Sequence, residues 1–291
     1  MTKQRASPIA LAIQISKAWG PHFPVNVRQI ALELSSRQSD PIVKIDGLDL
    51  EGAEGFLARN GVRDCWGIAY STHIRESGKV NFTIGHELGH YLCHRSAAES
   101  AFVCSRDDMV DFAQNDERPT VEQEANAFAS YLLMPIADLR RQTEGQRITI
   151  ALLNHCASRY DTTLAATALK LIEFTEEPVV VMLSSGGKVC WARSSDSALR
   201  LGFFFRKHVP VPAASLTARC QSIGTTANSE AGIVVPAPIW TAAGDVFESA
   251  IAQPYYKTVF TVLHMTAASQ GARTDEDLIE DSFDRLASLT R

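Results

Sequence analysis

The sequence predicts an α+β protein in two parts: a mainly helical first part over residues 1–176 that contains a small antiparallel sheet, and a smaller α+β part over 177–291. Three observations carry this reading. In the first part, apolar residues recur at three- and four-residue spacing in several stretches, the pattern of helices that bury one face. Between 41 and 84 the pattern loosens into short alternating runs broken by turn residues, which reads as strands. After Glu176-Glu177-Pro178 the chain changes character to runs such as VVVML, and the division is drawn there. A length of 291 residues also suits two domains better than one.

Taken in order, residues 7–19 and 25–36 form the first two helices. Ile42, Val43 and Ile45 alternate loosely, and EGFLARNG and CWGIAYS follow as strands of the small sheet. VNFTIGHELGHYLCH, residues 80–94, is a helix with Phe82, Leu88 and Leu92 on one side. The polar stretch 95–119, with Asp107, Asp108, Asp111 and Pro119, reads as a long loop or short irregular helix. Thr120 is placed as the N-cap of a helix over 121–133, VEQEANAFASYLL, which Pro135 ends. Helices over 148–159 and 163–174 flank a polar turn at Asp161. In the second part VVVML and VCWAR flank a Gly-Gly turn as a β-hairpin. GFFF (202–205), GIVV (232–235) and TVFTVLHM (258–265) are further strands, and Leu278, Ile279, Phe283, Leu286 and Leu289 put a helix over 274–290 with an acidic, solvated face.

Composition narrows the function classes. An apolar fraction of 45% and a charged fraction of 21% rule out wholesale disorder, a collagen-like repeat and a coiled-coil rod. A net charge of −5 argues against a general nucleic-acid coat. The six cysteines, at 65, 93, 104, 156, 190 and 220, include no CxxC pair and read as reduced thiols in a cytoplasm. Gln14, Ser16 and Lys17 interrupt the short apolar run near the start, and no small-x-small cleavage site follows it. No stretch approaches the roughly 20 apolar residues of a membrane span.

The chemistry concentrates in His86-Glu87-Leu88-Gly89-His90. Two histidines four apart on a helix stand on one face and can share a metal ion, and Glu87 is placed to take a proton from a water on that metal. A catalytic zinc takes three protein ligands. His94 continues the row, but eight residues span about 12 Å of helix, too far to share one ion with His86. A HExxHxxGxxH site would need Gly at 93 and His at 96, where the chain has Cys93 and Ser96. The third ligand is therefore sought in VEQEANAFASYLLMP, among Glu122 and Glu124, with Asn126 nearby. Glu122 and Asn126 share a face, so one can bind metal while the other holds a histidine in its tautomer. Glu124 points about 200° away from Glu122. Helical spacing leaves open which carboxylate binds. Two histidines and a carboxylate favour zinc among divalent ions.

FTIGHELGHYLCH followed by EQEANAFASYLLMP resembles the ImmA/IrrE-type metallopeptidases, a gluzincin-like group, over about residues 25–175. The resemblance implies a zincin-like domain with one Zn²⁺ per chain. In that family the third ligand is the Glu four residues before an Asn or Asp, which maps onto Glu122 and Asn126. It further implies a regulated endopeptidase, with Glu87 as general base and then proton donor to the leaving amine. The implied substrate is a helix-turn-helix repressor, whose limited cleavage releases genes for stress response, element transfer or phage defence. The C-terminal part resembles GAF-like sensory domains of some relatives.

Further candidates surround this core. Tyr70 and His155 are candidate oxyanion partners, and the strand around 66–71 is a candidate for pairing with an extended substrate. Cys104, in the connecting stretch, is a candidate inhibitory fourth zinc ligand that would hold the enzyme latent. Phe204, Arg206 and Lys207, within Phe203-Phe204-Phe205-Arg206-Lys207-His208, offer aromatic and basic groups for single-stranded DNA as an activating signal; a small-molecule activator is the other expectation. Arg140, Arg141 and Arg147 form a second basic cluster. The helices over 148–174 have helix-turn-helix spacing, but only Lys170 is basic in the second, so they read as core structure. The competing readings are a non-catalytic zinc-containing sensor and a DNA-binding regulator. No membrane partner is expected.

Overall fold

The computed structural model describes residues 7–95, 101–105, 120–240 and 245–265, and of 101 and 103–105 the backbone alone. The acidic tract at 107–111 and the expected helix over 274–290 lie outside the described residues. The described parts of 1–142 and 156–167 form one compact unit, and those of 143–155 and 168–291 a second.

In the first unit, α1 (Pro8–Trp19) and α2 (Val27–Ser35) precede β1 (Ile42–Leu48), β2 (Ala53–Asn60) and β3 (Cys65–Ser71). Then come α3 (Ser77–Cys93), β4 (Ala101–Ser105), α4 (Val121–Leu133) and α5 (Ile136–Thr143). The sheet order is β1-β3-β2-β4. β2 runs opposite to the other three strands, and β3, returning between β1 and β2, is parallel to β1 and antiparallel to β2. The sheet is therefore mixed. Its fourth strand, β4, pairs with β2 and lies where the sequence suggested only loop or irregular helix. Five residues carry too short a pattern to announce a strand; the unpaired edge of β2 supplies the reason for one. The strand expected to bind substrate is interior, since β3 has β1 on one side and β2 on the other, leaving no ladder groups for a peptide. The sheet's outer strands are β1 and β4.

α3 is the central helix, with Ile84, Leu88 and Tyr91 fully buried. Its first turn is held by Ser77 Oγ and Asn81 Nδ2, which donate to the Asp161 carboxylate at 2.5 and 2.7 Å. α4 starts as its sequence predicts: Thr120 Oγ1 accepts from Gln123 N and Gln123 Oε1 accepts from Thr120 N, a reciprocal cap. α3 and α4 pack antiparallel. In α5, buried Asp138 accepts from Arg159, Tyr160 and Arg141, tying α5 to the end of the following helix.

That helix, α6 (Ile150–Tyr160), and α7 (Leu164–Phe174) each contribute residues to both units. Lys170, the one basic residue of α7, is 2% exposed and donates to Glu173 at 2.9 Å. Burial lowers its pKa to about 8. A DNA-recognition helix needs exposed cations, and this one has hidden its own.

The second unit holds β5 (Val179–Ser185), β6 (Lys188–Ser194), α8 (Asp196–Arg200), α9 (Leu216–Ile223), α10 (Ala227–Ala231), β7 (Ile233–Val235), α11 (Ala237–Trp240), β8 (Val246–Gln253) and β9 (Thr258–Met265). The five strands form one antiparallel sheet in the order β6-β5-β9-β8-β7. Val180, Met182, Val246, Leu263 and Met265 on the sheet pack with Phe203 and Trp240. The GFFF segment is not a strand. Irregular backbone lets Phe203 and Phe205 both enter the core, edge-to-face at 5.5 Å, with Phe205 packed on Trp240. β8 escaped the sequence reading because Glu248 and Ser249 interrupt its apolar run, yet both are fully buried.

Candidate metal centre

α3 presents His86 and His90 on one face, and α4 brings Glu122 against them. The close approach depends on Gly85 and Gly89: a Cβ at these positions would meet Ala129 and Ala125 at 3.3 and 3.2 Å. With glycine facing alanine the backbones come near enough for the Glu122 side chain to reach both imidazoles.

The three donor atoms form a tight triangle. His86 Nε2 lies 3.0 Å from Glu122 Oε2 and 2.9 Å from His90 Nε2, and His90 Nε2 lies 3.3 Å from Glu122 Oε2. Ligands about 2.0–2.1 Å from a tetrahedral zinc stand about 3.3 Å apart, so this triangle is one face of such a tetrahedron. Among the described residues, this is the single group of three or more His, Cys, Asp and Glu side chains that could hold a metal ion.

The surrounding hydrogen bonds orient the imidazoles. His86 Nδ1 donates to Asn126 Oδ1 at 2.8 Å, which leaves Nε2 with its lone pair turned to the centre. His90 Nδ1 faces His94 Nδ1 at 3.2 Å, and His94 Nε2 meets Glu124 Oε2 at 2.7 Å. Phe102, on β4, stacks against the His90 ring with centroids 4.5 Å apart and planes 16° from parallel. His86 and His90 are fully buried. Two imidazole lone pairs and a carboxylate oxygen at this spacing repel one another unless a cation or a shared proton lies between them, so the donor set fits a divalent metal.

The electrostatics agree. Burial raises the Glu122 carboxyl, but its contacts with the His86 and His90 imidazoles, which donate to it when those rings are protonated, outweigh burial and hold the group far below the usual carboxylate range. Burial also lowers His86, yet the Glu122 hydrogen bond and the charges of Glu87 and Glu122 leave it raised. For His90, burial and the neighbouring histidines prevail over Glu122, and its pKa is lowered.

Glu87, beside His86 in the chain, is fully buried. Its Oε1 lies over Gly55 of β2, where an added Cβ would come within 2.8 Å. Gly55 was not singled out by sequence, because only the packing of β2 on α3 reveals that space. The same holds for Phe102, and for the contact that makes His94, too distant to be a ligand beside His86, the partner of His90.

Other sequence-predicted residues fall elsewhere. Tyr70 packs its ring against Gly47 and under the Arg28 guanidinium at 4.9 Å. His155 is exposed on α6. Cys104 sits in β4 opposite Gly55, and its side chain lies outside the described residues. Phe204 is half-buried, while Arg206 and Lys207 are exposed beyond the aromatic core segment. Arg141 is engaged by Asp138, and Arg147 stacks on Phe247 at 4.3 Å.

Residues 58–171 match the sequence profile of the Peptidase M78 family, described as the IrrE N-terminal-like domain. A solved structure described as a Mycobacterium tuberculosis transcriptional regulator is similar in fold, with 14% sequence identity, a TM-score of 0.53, and coverage of 90% of this chain and 88% of that one. A search of curated proteins found no match. The profile match spans both helices of the donor triangle, from the HELGH of α3 to the Glu122 and Asn126 of α4, so the stretch that holds the triangle is similar to the IrrE N-terminal-like domain of the Peptidase M78 family.

Proposed function

We propose that this chain is a zinc-dependent endopeptidase that makes a limited cut in a helix-turn-helix transcriptional repressor, releasing genes for stress response, element transfer or phage defence. The observation that supports it most is the donor triangle of His86, His90 and Glu122 with the buried Glu87 carboxylate next to it in sequence. His86, His90 and Glu122 would hold the ion, and bound zinc supplies Lewis-acid activation of water and of the scissile carbonyl. Glu87 takes the proton of the attacking water and passes it to the leaving amine. Its enclosure beneath β2 keeps that carboxylate in one position. An extended substrate segment pairs with β4, an outer strand beside the metal helix, rather than with interior β3. The description of the M. tuberculosis structure as a transcriptional regulator supports a role in transcription.

In this reading Cys104 is a latch, and its register opposite Gly55, the residue against Glu87, supports that assignment. The test is incubation of the full chain with zinc and purified helix-turn-helix repressors, with and without single-stranded DNA. The expected result is one discrete pair of repressor fragments, abolished by chelator and by Glu87→Gln. Repressor that stays intact in every condition overturns the peptidase reading in favour of a non-catalytic sensor. Cys104→Ser should raise basal cleavage; unchanged basal cleavage removes the latch.

A further inference from the structure

The two histidines of the centre are held differently. His86 donates to a neutral amide, Asn126. His90 is held through a second imidazole, that of His94, which in turn meets a carboxylate. Resting on the metal-centre reading above, we propose that His94 and Glu124 are positioning residues that fix the tautomer of His90 and thereby set the affinity of the centre for its metal.

The argument is one of donors and acceptors. An ionised carboxylate only accepts, so the 2.7 Å contact with Glu124 Oε2 puts the proton of His94 on Nε2. With a single ring proton placed there, His94 Nδ1 carries a lone pair, and the 3.2 Å contact then makes His90 Nδ1 the donor. With its proton committed to Nδ1, His90 turns an unprotonated Nε2 towards His86 and Glu122. Break the chain and the other tautomer, with a proton on Nε2, becomes available and competes with the metal. His94 is 1% exposed, so water is poorly placed to take over as acceptor. Phe102 against the His90 face opposes tilting of the ring but says nothing about its proton, which leaves the tautomer to His94.

The geometry also separates this role from ligation. His94 Nδ1 faces Nδ1 of His90, the nitrogen turned away from the donor triangle, so the ligand set is complete without it.

The experiment measures zinc affinity of the full-length protein by competition with a chromogenic chelator, together with the visible spectrum of the Co²⁺ form and the melting temperature of metal-free protein. His94→Phe should weaken zinc binding by about 10–100-fold while still taking up one Co²⁺ with a tetrahedral spectrum. His94→Asn, whose amide oxygen can occupy the place of Nδ1, should recover affinity to within a few-fold of wild type. Glu124→Leu should weaken binding less than His94→Phe, because Glu124 is partly exposed and water can replace it. Wild-type affinity in His94→Phe overturns the proposal. So does a loss that His94→Asn fails to recover and that tracks the melting temperature of the metal-free protein, which marks a packing role. A wild-type protein that binds neither zinc nor cobalt overturns the metal-centre reading itself, and this one with it.

Discussion

Replacing Gly55 by alanine tests the arrangement around Glu87 with a single methyl group. Gly55 lies in β2, between β3 and β4, so its backbone is held by ladders on both sides. The new Cβ would lie 2.8 Å from Glu87 Oε1 and 3.3 Å from the Ala69 carbonyl, and closer still to the Thr83 methyl. Against a comfortable separation of ~3.4 Å, the Glu87 oxygen has to retreat by about 0.6 Å. Thr83 has less freedom: it is fully buried, and its hydroxyl donates to Lys79 O at 3.0 Å, which holds the rotamer. Overpacking of this kind costs about 1–3 kcal/mol. In a protein of this size that lowers the melting temperature by roughly 2–12 °C. If Glu87 is the general base of the proposed peptidase, displacing it by a good fraction of an ångström costs about 10–100-fold in turnover. The donor triangle is on α3 and α4, and zinc affinity should stay within a few-fold of wild type. Calorimetry of metal-free protein, chelator competition and repressor cleavage read the three quantities separately. A Gly55→Ala protein that melts within about 1 °C of wild type would show that the space over Glu87 is not as closed as the packing indicates, and the reasoning would fail at its first step.

Two further predictions concern stability. Asp138 is pushed up by burial, but hydrogen bonds from Arg159, Tyr160 and Arg141 outweigh this and leave its carboxyl below the ordinary value of 3.8. A carboxyl depressed in the native state adds stability that is fully present above the unfolded pKa and is lost as pH falls through the native one. Asp138→Asn should therefore cost about 2–4 kcal/mol at pH 7, with the gap to wild type closing below pH ~4, as read by urea unfolding across pH; a gap independent of pH would refute it. Glu248 is fully buried and accepts from Leu216 N and Trp240 Nε1 through one oxygen, and from Thr217 N and Thr217 Oγ1 through the other. Glu248→Gln turns an N–H₂ group towards one of these pairs of donors, leaves at least one buried N–H without an acceptor, and should cost about 2–4 kcal/mol in equilibrium unfolding. A loss below 0.5 kcal/mol would mean that the second unit repacks freely around this residue.

The site residues differ in how visible they were. His86, Glu87 and His90 are one turn of one helix, so spacing alone places them together. Glu122 and Asn126 share a helical face for the same reason, but their choice over Glu124 needed the family resemblance, and their contact with α3 is a matter of packing. The structure sends Glu122 and Asn126 to His86 and His90, and Glu124 to His94, a division that follows from the rotation of α4 about its axis. Thr120 was legible because a cap is a bond between residues three apart. β4 and β8 were not, since the first is five residues long and the second carries a charge inward.

By itself, then, the amino-acid sequence determined what is local: the helices with a repeating apolar face, the cap of α4, and the four-residue spacing of the two histidines on α3. Tertiary structure decided everything that joins distant segments. It put β3 inside the sheet rather than at its edge, gave Glu248 four donors from α9 and α11, set Gly55 against Glu87, and made His94 the partner of His90. The physical reason is the same in each case. Helical periodicity and caps are interactions within a few residues, encoded by neighbours in the chain, whereas strand order, interhelical rotation and the satisfaction of a buried charge depend on groups that only the closed fold brings together.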